Sequence, residues 1–199
     1  MREISEQHKK LFSIMGIPSL FWGREVVDIL AGDDVAKFIQ NYVDDPAPKL
    51  EEGLGFFISG AMGSGKTTAS AVFLMEPIYR GQITHARFLE APALMSMVFD
   101  EPELLLYYKK RKILVLDDFG REYRKNTEYV AKLYEDFIRY RMTHKLVTGI
   151  TSNLSLEEIE KAYGAGVAYL IEHSCVVFNA QGMNRRDNTQ PRLRKLAGL

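Results

Sequence analysis

Residues 55 to 68, GFFISGAMGSGKTT, set a short apolar run, a glycine-rich turn and Lys-Thr-Thr in direct succession. Few sequence features restrict a fold as tightly. Gly60 to Thr67 fits G-x-x-x-x-G-K-T, between a strand-like and a helix-like segment, the context this pattern requires. Glycines allow the backbone angles and close approach that a phosphate needs. Backbone N–H groups and the helix N-terminus then face the anion. The expected nucleotide-binding residues are Gly60, Ala61, Gly63, Ser64, Gly65, Lys66, Thr67 and Thr68. Lys66 is expected to reach the β- and γ-phosphates, and the Thr67 hydroxyl to ligate Mg2+.

The rest of the chain alternates around this segment. Apolar runs at 55–59, 86–90, 112–118, 145–153 and 174–179 read as strands. Between them, 66–79, 126–142 and 155–163 read as helices, and 92–108 as helical or irregular. Such alternation implies a parallel sheet covered on both faces. Before it, 1–15 reads as an amphipathic helix, with Ile4, His8, Leu11 and Met15 on one stripe and Phe12 beside them. A second helix is expected over 25–43 around a break at AGDD, and 44–53 reads as a proline-bearing loop. About twenty residues follow the last strand, so no C-terminal lid domain is expected.

The run ILVLDD (113–118) ends in two carboxylates at the C-terminal edge of a strand, where ligands bind in open α/β sheets. Asp117 is expected in the Mg2+ shell, and Asp118 to polarise an attacking water. A second acid at this position points to the additional-strand ATPases. No N-K-x-D guanine-reading motif occurs, so ATP is preferred over GTP. TGITSN (148–153) ends a further strand. Asn153 there either orients water near the γ-phosphate or caps the following helix, a role Ser155 and Glu158 fill equally well as a capping box.

Composition excludes some classes. Net charge is zero over 199 residues, so there is no globally basic coat for nucleic acid, although local patches are allowed. The single cysteine, Cys175, sits in an apolar run and reads as a core residue of a cytoplasmic protein. No apolar stretch approaches the ~20 residues of a membrane span. One local patch is notable: YYKKRK (107–112) joins Tyr107 and Tyr108 to Lys109, Lys110 and Arg111, residues suited either to contact DNA or to form a solvated turn.

These residues together resemble the DnaC/IstB-like AAA+ ATPases, which are replicative helicase loaders and transposition helpers. The resemblance rests on GIP (16–18), GLGFFISGAMGSGKTTASA (53–71), ARFLEAPALMS (86–96), ILVLDDFG (113–120), YRMTHKLVTGITSNLSLEEI (140–159) and VVFNAQGMNRR (176–186). It implies a three-layer P-loop NTPase of the AAA+ type, with strand order 5-1-4-3-2 and Asn153 as a sensor between the phosphate-loop and acidic strands. It divides the chain into an N-terminal helical segment (1–45) suited to a partner, an ATPase core (46–183) and a basic tail (184–199). It also implies ATP and Mg2+ as cofactors, and a hexameric helicase, single-stranded DNA and a nucleotide-dependent homo-oligomer as partners. The compact chain suggests a phage or mobile-element version.

One departure from the family pattern matters. GAGVAYLIEH (164–173) contains no arginine, where the family usually has arginines that complete a neighbour's ATP site. Slow hydrolysis by the chain alone is therefore expected, or an arginine supplied from Arg121, Arg124, Arg185 or Arg186. Three other readings stay open: a transposition helper coating duplex DNA, a small-molecule kinase, and a non-hydrolysing adaptor.

Overall fold

The five apolar runs form one parallel sheet. A computed structural model describes residues 2–82, 85–121 and 127–180. The strands are β1 (Gly55–Gly60), β2 (Ala86–Glu90), β3 (Ile113–Phe119), β4 (Val147–Ser152) and β5 (Cys175–Ala180). Their order is β2-β3-β4-β1-β5, with every pairing parallel. Read from the other edge this is 5-1-4-3-2, the additional-strand arrangement of the AAA+ P-loop NTPases. The segment after β5 lies outside the described residues, and with it the question of a lid, the basic tail, Arg185 and Arg186. Among the described residues no helix is long and apolar enough to cross a membrane.

Strand periodicity divides the core into two layers. Successive side chains of a strand point to opposite faces. Phe56 and Ile58 accordingly enter one apolar cluster and Phe57 the other. The first cluster is closed by α1 (Glu6–Met15), α2 (Asp33–Asp44) and α4 (Lys66–Tyr79). The second is closed by α7 (Thr127–Thr143), α8 (Leu156–Tyr163) and α9 (Ala165–Ser174). The helix α4 is apolar almost all round, from Ala69 to Ile78, and is buried between the sheet and the N-terminal helices.

The N-terminal stripe faces inward. Ser5 caps α1 by accepting from the His8 N–H at 3.3 Å, and Gly16 ends it at φ 80°. Phe12 and Met15 are fully buried in the cluster that contains α4, with Ile4 and Leu11 packed against it. The apolar face of this helix is therefore part of the chain's own core.

Two local expectations are corrected, and a third, left between helical and irregular, is made definite. Residues 44–53 are not a loop, since Pro46–Glu52 form the helix α3. Pro46 opens it, where a missing N–H costs nothing, and Gly53 ends it at φ 69°. A Cβ on Gly53 would lie 2.5 Å from the Lys145 carbonyl carbon, so the turn needs glycine. The segment 25–43 is a single turn (Val26–Asp28) followed by α2, with the break at AGDD as expected. Residues 92–108 are two helices, α5 (Ala93–Asp100) and α6 (Pro102–Lys109), because Pro102 cannot continue the first.

Two buried polar groups sit at the N-terminal end of the sheet. Arg141, in the last turn of α7, is 0% exposed. Its guanidinium donates to the carbonyls of Tyr108 (3.2 Å), Lys109 (3.1 Å), Arg111 (2.9 Å) and Val147 (2.6 Å), and to Thr148 Oγ1 (2.9 Å). Cys175 is a core residue, and burial pushes its thiol up to about 12.

Candidate nucleotide site

The turn between β1 and α4 is built for an anion. Gly60, Gly63 and Gly65 all have positive φ, at 146°, 83° and 90°. At Gly60 a Cβ would meet the Ala180 carbonyl oxygen at 2.5 Å, so the loop can follow this path only with glycine. Gly65 is the N-cap of α4, and the first turn of that helix carries no acidic residue. The N–H groups at the start of this helix, which includes Thr67 and Thr68, thus face the cleft without a competing carboxylate in that turn.

Lys66 is 5% exposed. Its ammonium donates to the carbonyls of Gly60 (2.8 Å) and Ala61 (2.9 Å) and to Asn153 Oδ1 (3.0 Å), with Ser64 Oγ at 3.5 Å. All of these partners are neutral oxygens. Asn153 does not cap α8. Ser155 does, and Glu158 completes the capping box. Of the two readings of Asn153, the structure therefore has the one that reaches the phosphate loop.

Thr67 Oγ1 donates to Asp117 Oδ2 at 3.1 Å, joining the start of α4 to the end of β3. Thr151 Oγ1 donates to the other Asp117 oxygen at 2.5 Å, and accepts from the Asp118 N–H at 3.1 Å. Strict alternation would send Asp117 and Asp118 to opposite faces of the sheet. A bulge prevents this, because the β3–β4 register shifts between Leu116 and Phe119. Asp118 takes φ 58°, a conformation that is tolerated by Asp and is uncommon outside functional turns. Asp118 then lines the cleft, and its carboxylate lies 3.6 Å from Arg121. Burial raises the Asp117 carboxyl from 3.8 to about 6, partly offset by the Thr151 and Thr67 hydrogen bonds.

A cleft of about 220 Å³ opens over these groups, lined by Gly63, Gly65, Lys66, Thr67, Thr68, Asp118 and Asn153 and, on its apolar side, by Leu20, Phe21 and Met62. Trp22 turns inward, where its indole N–H donates to the Ile17 carbonyl at 2.9 Å. Of the FW pair, Phe21 is the cleft residue and Trp22 belongs to the core. The donor set fits a Mg2+–nucleoside triphosphate. Mg2+ is commonly held by one or two protein oxygens with phosphate and water completing the shell, and Thr67 and Asp117 supply a hydroxyl and a carboxylate side by side. Thr151 was not evident from sequence. Its signal is a hydroxyl one strand over, opposite an acid that needs a donor.

The fold has known counterparts. A crystal structure of DnaI superposes with a TM-score of 0.68 at 24% identity, covering 85% of this chain and 94% of that one. The DnaC helicase loader superposes at 0.70 and 20% identity, covering 82% of this chain and 100% of that one. The chain shares the fold of known helicase loaders. The replication initiator DnaA, solved with AMPPCP and single-stranded DNA, superposes at 0.63 and 13% identity over 90% of this chain and 56% of that one. No protein-family model and no curated protein matches the sequence.

Set on this loader fold, the expected site residues fall into two groups. Lys66, Thr67, Asp117, Asp118 and Asn153 converge at the C-terminal end of the sheet. Tyr107, Tyr108, Lys109, Lys110 and Arg111 do not join them, because they precede β3 and lie at its other end. The arginine-free segment 164–173 forms most of α9, packed with α7 and α8. Arg124 lies outside the described residues.

Proposed function

We propose that the chain is an ATP-binding replication protein that loads a hexameric helicase onto single-stranded DNA, with ATP hydrolysis as its switch. The observation that carries this is the bond set joining three strand ends. Lys66 reaches Asn153 on the β4 side, and Thr67 reaches Asp117 on the β3 side. The likeness to DnaI and DnaC supports the loader role over other nucleotide machines. A small-molecule kinase would leave the second acid and Asn153 without a task.

Mg2+–ATP, held by the phosphate loop with Thr67 and Asp117 at the metal, would supply the electrophilic phosphorus and a cation to offset phosphate charge. The residues of the chain do the rest. The phosphate loop binds and orients through its N–H groups, and Lys66 neutralises developing charge. Thr67 and Asp117 hold the metal shell. Asp118 accepts a proton from the attacking water, and Asn153 orients that water. Leu20 and Phe21 offer an apolar wall for the base. Because α9 presents no arginine, turnover by the isolated chain is slow, and an arginine finger can be worth several orders of magnitude. Arg121, beside Asp118, is the described candidate for raising it.

Size-exclusion light scattering with the replicative helicase of the same genome tests the reading, with ATP, with ADP and with Lys66→Ala. A large nucleotide-sensitive complex supports it. No complex, together with filaments on duplex DNA, transfers the assignment to a transposition helper.

A further inference from the structure

The N-terminal end of the sheet holds a concentration of cations that the nucleotide chemistry does not use. Arg87 on β2, Lys109 at the end of α6, and Lys110, Arg111 and Lys112 in the turn into β3 gather there. Among the described residues, none of the five has a carboxylate within 4.0 Å. Acids do lie nearby. Asp100, Glu101 and Glu103 border a groove that Tyr107 also lines, and Glu52 holds Lys145.

The aromatic residues in this patch are already engaged. The Arg111 guanidinium lies 3.7 Å from the centre of the Tyr107 ring, and its Nε donates to the Tyr107 carbonyl at 3.1 Å. Arg87 donates to the Tyr107 hydroxyl and sits 5.2 Å from the same ring. Tyr108 is packed against the second core cluster. The Lys109 ammonium lies over Tyr140 at 4.8 Å. The rings fix cations in place and are not set out as platforms for bases.

Beneath the turn lies Arg141. A helix C-terminus normally presents a partial negative charge that would repel a polyanion. Here a buried full positive charge takes up the carbonyls of Tyr108, Lys109 and Arg111. That reverses the local sign and pins the backbone that displays Lys109, Lys110 and Arg111.

We propose that this face, made of the α6–β3 turn with Arg87 and Lys112, is a landing site for the phosphate backbone of nucleic acid, indifferent to base and to strandedness. A protein partner would call for an apolar centre among the charges; the exposed groups of the turn itself, Lys110 and Lys112, are cations, and Leu106, exposed one turn earlier, is the single large exposed apolar side chain of α6. The seven residues of β3 separate this face from the acidic pair by about 20 Å, so its contribution to binding is independent of bound nucleotide. The inference goes beyond the loader reading and does not need it. A chain that bound no helicase would still show the behaviour described next.

The test is fluorescence anisotropy on a labelled oligothymidine strand and on a duplex of equal length, across a salt titration, with and without ATP. The triple variant Lys110→Ala/Arg111→Ala/Lys112→Ala is compared with the full chain, and thermal melting checks that it folds. If the triple variant does not fold, Lys110→Glu alone, an exposed position, replaces it. The expected result is a slope of log affinity against log salt shallower by about two to three for the triple variant, near one per cation removed, on both nucleic acids and in both nucleotide conditions. For Lys110→Glu the expected change is about one or more. An unchanged slope with binding retained overturns the proposal, as does a full-length chain that binds neither nucleic acid. A loss confined to the single strand at unchanged slope overturns it too, because that is how a stacking surface behaves. If only association with an acidic protein is lost, the face is a protein interface and the proposal falls.

Discussion

Asp117 offers a perturbation whose sign changes with pH in a calculable way. The side chain is 6% exposed, and its carboxyl is raised from 3.8 to about 6 by burial. A folded-state value above the unfolded one means that the protonated form favours folding. Below 3.8 the group is protonated in both states and costs nothing. Between 3.8 and about 6 the cost of burying the charge grows, and above that it is constant. At ~1.4 kcal/mol per unit, the cost is about 1.6 kcal/mol at pH 5 and about 3 kcal/mol at pH 8. Asp117→Asn removes the charge, keeps an oxygen for one of the two threonine hydroxyls and turns an amide donor towards the other. Any pH-independent effect of the substitution cancels between the two pH values. The stability gained by the variant should therefore be larger at pH 8 than at pH 5 by about 1.4 kcal/mol, or roughly 3–6 °C in Tm for a chain of this size. Differential scanning fluorimetry in chelator, without nucleotide, measures it. Added Mg2+–ATP should reverse the ranking, since the metal needs the carboxylate. An equal difference between variant and parent at the two pH values would refute the argument.

Other outcomes follow from the same geometry. Asn153→Ala should lower ATP turnover about 100-fold while nucleotide affinity changes by less than about tenfold, read by steady-state phosphate release and calorimetry. Arg141→Met should cost about 3–5 kcal/mol in denaturant unfolding, because four carbonyls and the Thr148 hydroxyl lose a donor in the interior. Cys175, buried and with its thiol pushed up to about 12, should resist iodoacetamide in the native protein and react only on unfolding. A cysteine labelled at the rate of a free thiol in buffer would contradict that packing.

What could be read from sequence was whatever depends on residues close together in the chain. The strands were legible because apolar runs such as ILVL bury both faces, and the phosphate loop because its glycines and Lys66 are consecutive. The helix α3 was hidden because prolines, usually a loop signal, here occupy only its first turn. The pair Asp117–Asp118 was legible as the end of an apolar strand, but the bulge that seats Asp118 in the cleft was not, because a period of two puts it opposite Asp117 and the register shift against β4 shows only in the paired sheet. Arg141, near the end of an amphipathic helix, reads as a surface residue. Its burial depends on carbonyls thirty residues earlier in the chain that only the tertiary fold delivers. For Tyr107, the sequence shows neighbouring lysines and not the arginine that reaches it from β2.

The helix α4 has a mechanical consequence. At one end its first turn holds Lys66 and Thr67. At the other, Tyr79 lies 4.3 Å beneath the Arg2 guanidinium, which also reaches Glu76 at 3.5 Å. Fourteen residues make a rod of about 21 Å, gripped along its length by the sheet and by Phe12, Met15 and Tyr42. Pro77 interrupts the backbone ladder only near the far end, leaving the turns behind Lys66 unbroken. Anything that tugs on the first residues of the chain pushes on the seat of the phosphates, with that proline as the one weak joint between the two.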